Sequence, residues 1–212
     1  MEKKLYIIGA GSVGGHVALN IRDYSNKYKI AGFFDDDSDK IDTKQFGHTV
    51  LGPVSDALDL KNVALIIGIA FPKIKKEIIE LLSANKSLTY PALIHDKAWI
   101  SNSVSIGNGS IIYPGTSVNY GSEIGDHVVI NMNCAIGHHT KIEDYASLAP
   151  AVKTGGHTCL GEAADIGIGV STLQEVMIGA GCTVGGQAMV THNIPENETA
   201  VGIPAQVKRK QK

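Results

Sequence analysis

An excess of charge of either sign is missing from this 212-residue sequence: 19 lysines and arginines stand against 21 aspartates and glutamates, a formal net charge of -2. Binding to nucleic acid leans on a basic surface, so the composition argues against nucleic acid as the main partner. Cysteine is scarce as well. Three thiols suit a reducing compartment and a packing role better than a disulfide framework. The N-terminus has no long apolar run: Met1 to Gly9 holds two lysines and then five apolar residues. That is too short for a signal-peptide core or a membrane span, and a cytoplasmic protein without a membrane span is the expectation.

A strict six-residue register is present from Ile94 to Val190. Stepping by six gives Ile94, Ile100, Ile106, Ile112, Val118, Ile124, Ile130, Ile136, Ile142, Leu148, Thr154, Leu160, Ile166, Thr172, Ile178, Val184 and Val190, so fifteen of seventeen positions are Ile, Leu or Val. Four residues after each comes a small or β-branched residue, including Cys134 and Cys182. Glycine recurs just after the aliphatic residue, as at Gly107, Gly125 and Gly137. A helical period of 3.6 cannot hold such a register, whereas a parallel β-helix of hexapeptide repeats requires it. Cys159 lies beside the small slot of its repeat, and nothing marks it as a nucleophile.

Ahead of the repeats the pattern changes. Leu5 to Ile8 reads as a buried strand, followed by Gly9-Ala10-Gly11-Ser12-Val13-Gly14 and a helix from about Ser12. Strand, glycine turn and helix in this order form a phosphate-binding element, because free N–H groups and the helix dipole face the turn. A second strand, Ile30 to Phe34, ends in Asp35-Asp36-Asp37, where an acidic side chain is placed to bond a ribose or a base. Val63 to Ile69 reads as a third strand and Ile74 to Leu82 as an amphipathic helix after Pro72. The fold class is an α/β Rossmann-like unit followed by an all-β parallel β-helix. The expected boundaries are 1–92 for the nucleotide-sugar-binding unit, 93–195 for the β-helix, and 196–212 for an extended tail with a basic end. Only one mononucleotide-binding half fits, which favours a mononucleotide or nucleotide-sugar over NAD.

Three hexads make one triangular coil, so residues 18 apart stack at a spacing of roughly 4.8 Å. His138 then follows Tyr120 and precedes Gly156, while His139 follows Gly121 and precedes His157. One edge of the prism collects His138, His139, Gly156 and His157, and the register's two threonines fall on the same face. Another edge collects Asp126, Asp144 and Glu162, read as solvated. A zinc site among the histidines is the minor reading, since no Cys or carboxylate stacks on them. Asn131 precedes His138 and is a candidate for the acceptor, although asparagine also suits a tight bend.

These features resemble the left-handed β-helix sugar acetyltransferases of the NeuD/PglD-like family, the sialic acid O-acetyltransferases and UDP-4-amino-sugar N-acetyltransferases. The resemblance rests on Ile7 to Gly15, Phe33-Phe34-Asp35-Asp36, Leu93-Ile94-His95, Ala135-Ile136-Gly137-His138, the hexads and Val201-Gly202-Ile203-Pro204-Ala205. It implies a homotrimer with acetyl-CoA in the groove between prisms and no metal. It also implies a nucleotide-sugar acceptor, a UDP-amino sugar favoured, held through Gly9, Gly11, Ser12, Gly14, Asp35, Asp36 and Asn131. His138 would be the general base and Gly156 N–H the donor to the thioester oxygen. Acetyl-CoA contacts would fall at His139, Ser147, Gly156, His157 and Gly169. Three positions depart from the family pattern: His139 replaces an acidic residue, Ser147 a second histidine, and Val13 a histidine of the glycine turn. N-acetylation of a nucleotide-linked amino sugar for surface glycans is the leading expectation. The alternatives are O-acetylation, a zinc carbonic anhydrase and a non-catalytic binding protein.

Overall fold

The computed structural model describes residues 2–208 and divides into two compact units, Met1–Leu93 and Ile94–Lys212. In the first, β1 (Lys3–Ile8), α1 (Ser12–Leu19), α2 (Ile21–Tyr24) and β2 (Tyr28–Phe34) are followed by a small hairpin, β3 (Lys44–Gln45) and β4 (His48–Thr49). Then come β5 (Ala64–Ile67) and α3 (Pro72–Leu82). The strands order as β2-β1-β5, all parallel. Leu5, Ile7, Ile8, Phe33, Leu65 and Ile66 are fully or almost fully buried, which is why these runs read as continuously apolar rather than alternating. The strand read as Val63–Ile69 ends at Ile67. Gly68 turns away there, and a Cβ on it would lie 2.6 Å from Gly14 Cα. Pro72 opens α3 at its first turn, where its missing N–H costs nothing.

The order β2-β1-β5 places a topological switch point beside β1. The turn after β1 therefore opens at the carboxyl end of the sheet, the position at which open α/β sheets bind ligands.

The second unit is a stack of parallel coils with two-residue strands on three faces. Register is constant at 18 as far as Val190: Ser117 pairs with Ala135, Glu123 with Lys141, Lys141 with Cys159, and Val129 with Ser147. It shortens to 16 in the last coil, where Thr183 pairs with Thr199. From Ile112 onward the aliphatic register positions are buried, and the small slots between them are filled by Ser110, Thr116, Ser122, Val128, Cys134, Thr140, Ala146, Val152, Thr158, Ala164, Val170, Val176, Cys182 and Ala188. Large and small residues alternate to fill the triangular section, so truncating a central member such as Ile166 to alanine costs on the order of 2–5 kcal/mol. From Gly109 to Gln187 each corner places one residue in the left-handed region, among them His139 (φ 53) and His157 (φ 57). The stack runs past residue 195. Thr199–Val201 pairs parallel with Thr183–Val184, and Gln206–Val207 folds back antiparallel on it. Of the basic end, Lys208 donates to Thr199 O, while residues 209–212 lie outside the described residues.

Candidate active site

The corner after Ala135–Ile136 and its equivalent one coil later carry the aromatic and imidazole groups. Tyr120 stacks on His138 at a centroid distance of 5.4 Å and 10° between planes. His139 stacks on His157 at 4.8 Å and 2°. The two columns touch through a hydrogen bond of 3.1 Å between His138 Nδ1 and His139 Nδ1. The carboxylate that the family pattern places after the histidine is thus replaced by a second imidazole in contact with it. The other nitrogen of His138 lies over Gly156: a Cβ there would sit 2.5 Å from His138 Nε2. Only glycine lets the ring cover this corner.

The Gly156 N–H stands out by being both buried and uncapped. At several other corners the equivalent amide is capped by a side chain. Asp126 Oδ1 accepts from Asn108 N–H (2.7 Å), Asp144 Oδ1 from Asp126 N–H (2.8 Å), and Asn119 Oδ1 from Tyr120 N–H (2.8 Å). Where the amide is not capped, as at His138, Gln174 and Gly186, the residue is not buried. Position 155 is glycine and offers no cap, so Gly156, though buried, has no acceptor for its N–H among the described residues. Buried backbone donors without a partner are rare and point to a ligand's place.

Asn131 is at another corner, where its Oδ1 caps Met132 N–H at 2.8 Å, as Asn119 does for Tyr120. Gly169 (φ +69) shares that corner edge, packed against the Gln187 side chain, and Ser147 is buried on the preceding strand. Within one chain, none of these three stands at the histidine corner. Asp126, Asp144 and Glu162 form the expected column, and it is tied down rather than merely solvated, since Glu143 also accepts from Glu162 N–H at 3.1 Å. Burial pushes the Cys134 thiol up to about 11 and raises Cys159 and Cys182 as well, which disfavours their thiolate forms.

At the glycine turn, Gly14 meets strand backbone so closely that a Cβ would lie 2.0 Å from Gly9 O. Gly9 has φ +93, a conformation suited to glycine. Gly11 and Ser12 are exposed, with nothing within 4 Å of a Cβ built on Gly11. Asp35 holds this turn: its Oδ2 accepts from Ala10 N–H at 2.7 Å and its Oδ1 from Asp37 N–H at 3.0 Å. Burial alone would raise the Asp35 carboxyl, but these amides and Lys40 outweigh it and hold it below the usual carboxylate range. Its contribution to stability is complete at neutral pH and is lost as the pH falls through that lowered value. Asp36 accepts from Val54 N–H at 2.8 Å. Both aspartates thus have a structural duty that the sequence does not disclose. Val13 is buried, and His16 is turned to Tyr24 (Nε2 to OH, 3.0 Å), so neither offers an imidazole to the turn.

The nitrogens of His138, His139 and His157 spread over as much as 4.8 Å. Two nitrogens bound to one zinc ion lie at most about 4.2 Å apart, so the cluster would have to close up to hold a metal.

Residues 4–82 match the PglD N-terminal domain family. No curated protein sequence matches the chain. Among solved structures, a histidine variant of perosamine N-acetyltransferase from Caulobacter crescentus, in complex with CoA and GDP-perosamine, superposes with a TM-score of 0.88 at 25% identity, over 98% of this chain and 97% of that one. The acetyltransferase domain of PglB from Neisseria gonorrhoeae, in complex with acetyl coenzyme A, gives 0.89 at 28% identity, over 98% and 100%. WeeI from Acinetobacter baumannii gives 0.83 at 26%, over 96% and 99%. A match to the PglD N-terminal domain over residues 4–82, followed by a hexapeptide-repeat β-helix, is a two-part architecture that this chain shares with these acetyltransferase structures.

Proposed function

We propose that the protein transfers the acetyl group of acetyl-CoA to the amino group of a nucleotide-linked amino sugar. The observation that carries this reading is the juxtaposition of His138 Nε2 with Gly156, whose N–H is unpartnered. A base and an oxyanion donor at one corner are what direct acyl transfer needs. The structural relatives add the reactants, since they are bound to CoA or acetyl-CoA and to a nucleotide amino sugar.

The amine attacks the thioester carbonyl while His138 Nε2 takes its proton. The carbonyl oxygen becomes an oxyanion facing Gly156 N–H. Collapse of the tetrahedral species breaks the C–S bond, and the departing CoA thiolate recovers the proton from the imidazolium. His139 orients the base: with its Nδ1 accepting from His138 Nδ1–H, the lone pair of His138 is left on Nε2. No acyl-enzyme is involved, in keeping with a Cys134 thiol that burial pushes up to about 11.

The nucleotide part is assigned to the glycine turn, through Gly9, Gly11, Ser12 and Gly14, with Asp35 holding the turn in shape and Asp36 beside it. A UDP-sugar is the favoured acceptor. A homotrimer fits the exposed apolar side chains on the coils, including Trp99, Ile168, Leu173 and Met177. In a trimer, Ser147 and Gly169 of one copy would contribute to a CoA groove at the histidine corner of the next, with His139 and His157 on its other wall, and Asn131 would face the acceptor sugar. No helix among the described residues is long and apolar enough to cross a membrane. A cytoplasmic setting suits the three free thiols.

The test is release of CoA thiol with UDP- and GDP-linked amino sugars, and with matched sugars bearing a hydroxyl. Amine-dependent release is expected, along with a loss of about 10²–10⁴-fold in His138→Ala. Release with hydroxyl acceptors alone would move the reaction to O-acetylation. Unchanged turnover in His138→Ala would remove the base from the mechanism.

A further inference from the structure

Thr158 and Thr172 are buried beneath the histidine corner, and their hydroxyls close a ring around one peptide unit. In the regular coils, the N–H that follows each aliphatic register residue donates to a main-chain carbonyl one coil later. Examples are Asn119 to Ile136 O (3.0 Å), Gly125 to Ile142 O (2.8 Å) and Glu143 to Leu160 O (2.9 Å). Where the register carries threonine the acceptor changes: Gly137 N–H donates to Thr154 Oγ1 and Gly155 N–H to Thr172 Oγ1, both at 3.0 Å. The Thr158 hydroxyl has two carbonyl acceptors, Gly155 O at 2.8 Å and Leu173 O at 3.3 Å, and it meets Thr172 Oγ1 at 2.9 Å. A hydroxyl has one proton, and the shorter contact favours placing that of Thr158 on Gly155 O. With the Thr158 proton there, Thr172 is the donor to Thr158. The circuit runs Gly155 N–H to Thr172, Thr172 to Thr158, and Thr158 back to Gly155 C=O.

The Gly155 carbonyl and the Gly156 N–H belong to the same planar peptide. A donor fixed on the carbonyl sets the plane and therefore the direction of the N–H. It also polarises the amide, so that the N–H becomes a stronger donor. We propose that Thr158, supported by Thr172, is a positioning residue that holds and strengthens the Gly156 N–H for the oxyanion. Two adjacent glycines leave this peptide without side-chain restraint, and the threonine ring supplies the restraint from inside the prism. This inference rests on the reading of Gly156 as the oxyanion donor.

The experiment compares Thr158→Val, Thr158→Ser and Ser110→Ala with the full-length wild type. Valine keeps shape and removes the donor, whereas serine keeps the donor. Ser110 is the control: it is fully buried and donates to Gly125 O at 2.8 Å, away from the histidines. Thr158→Val is expected to lower kcat about tenfold, less than outright loss of an oxyanion donor, because the N–H remains but is less well aimed. The KM for acetyl-CoA and the shape of the pH profile should be unchanged, because binding and the His138 base are untouched. Thr158→Ser should restore kcat, and Ser110→Ala should lower Tm without lowering kcat. Should Thr158→Val not fold, Thr172→Val breaks the same ring and carries the same expectation. An unchanged kcat in the valine variant overturns the inference while leaving the transferase reading intact, and so does an equal loss in Ser110→Ala. Intact turnover in His138→Ala, or no acetyl transfer by the wild type, overturns the reading itself and the inference with it.

Discussion

Two corners of the same prism are built on the same repeat, yet one turns carboxylates onto several of its amides and the other leaves a buried amide open. At the acidic corner, Asp126, Asp144 and Glu143 turn their carboxylates onto backbone amides one coil away. At the histidine corner, Gly137 and Gly155 stand where capping side chains could have been, and the rings of Tyr120, His138, His139 and His157 stack outside. The difference is one of satisfaction. A carboxylate that caps an amide stabilises the coil and leaves the amide nothing to offer a ligand. An amide left uncapped over a rigid floor is a donor in waiting.

That contrast can be broken from either side. Gly156→Ala puts a methyl 2.5 Å from His138 Nε2 and should displace the ring. The expected loss in kcat is about 100-fold, measured as thiol release, with the coils still folded by circular dichroism. Retained activity would mean that the ring does not work from this position. His139→Phe keeps an aromatic partner for His157 but takes the acceptor from His138 Nδ1. A loss of about tenfold is expected, with recovery in His139→Asp, which offers an oxygen acceptor instead. At the acidic corner the effect should move from rate to stability: Asp144→Ala uncaps Asp126 N–H and should cost about 1 kcal/mol in denaturant unfolding at unchanged kcat. The smallest effect is expected from iodoacetamide at pH 8. With the Cys134 thiol held up to about 11 by burial, and the Cys159 and Cys182 thiols also raised, the treated enzyme should keep its turnover.

Much of the coil was legible because a β-helix repeats one constraint many times. The interior of a triangular prism accepts an aliphatic residue and then a small one, so Ile112, Ile130, Leu148 and Ile166 announce their stacking in one dimension. The grouping of His138 with Gly156 followed by counting 18 residues. What counting could not supply was the direction of a polar group. Asn131 stands close to His138 in the chain and at a different corner in space, with its side chain spent on a bend. Asp35 and Asp36 sit where a ribose partner is expected, and both carboxylates also accept from backbone amides. Thr154 and Thr172 stood out as breaks in the aliphatic register. Their hydroxyls proved to be acceptors that replace main-chain carbonyls, a role no pattern of hydrophobicity encodes.

Period, coil length and the identity of the residues stacked on each edge were determined by the sequence alone, because they follow from which side chains fit inside a triangular section. Only the tertiary structure decided which buried amide stays uncapped, which nitrogen of His138 faces Gly156, and that the two Nδ1 atoms of His138 and His139 meet. Those outcomes depend on hydrogen-bond directions set jointly by neighbouring coils, which no single repeat contains.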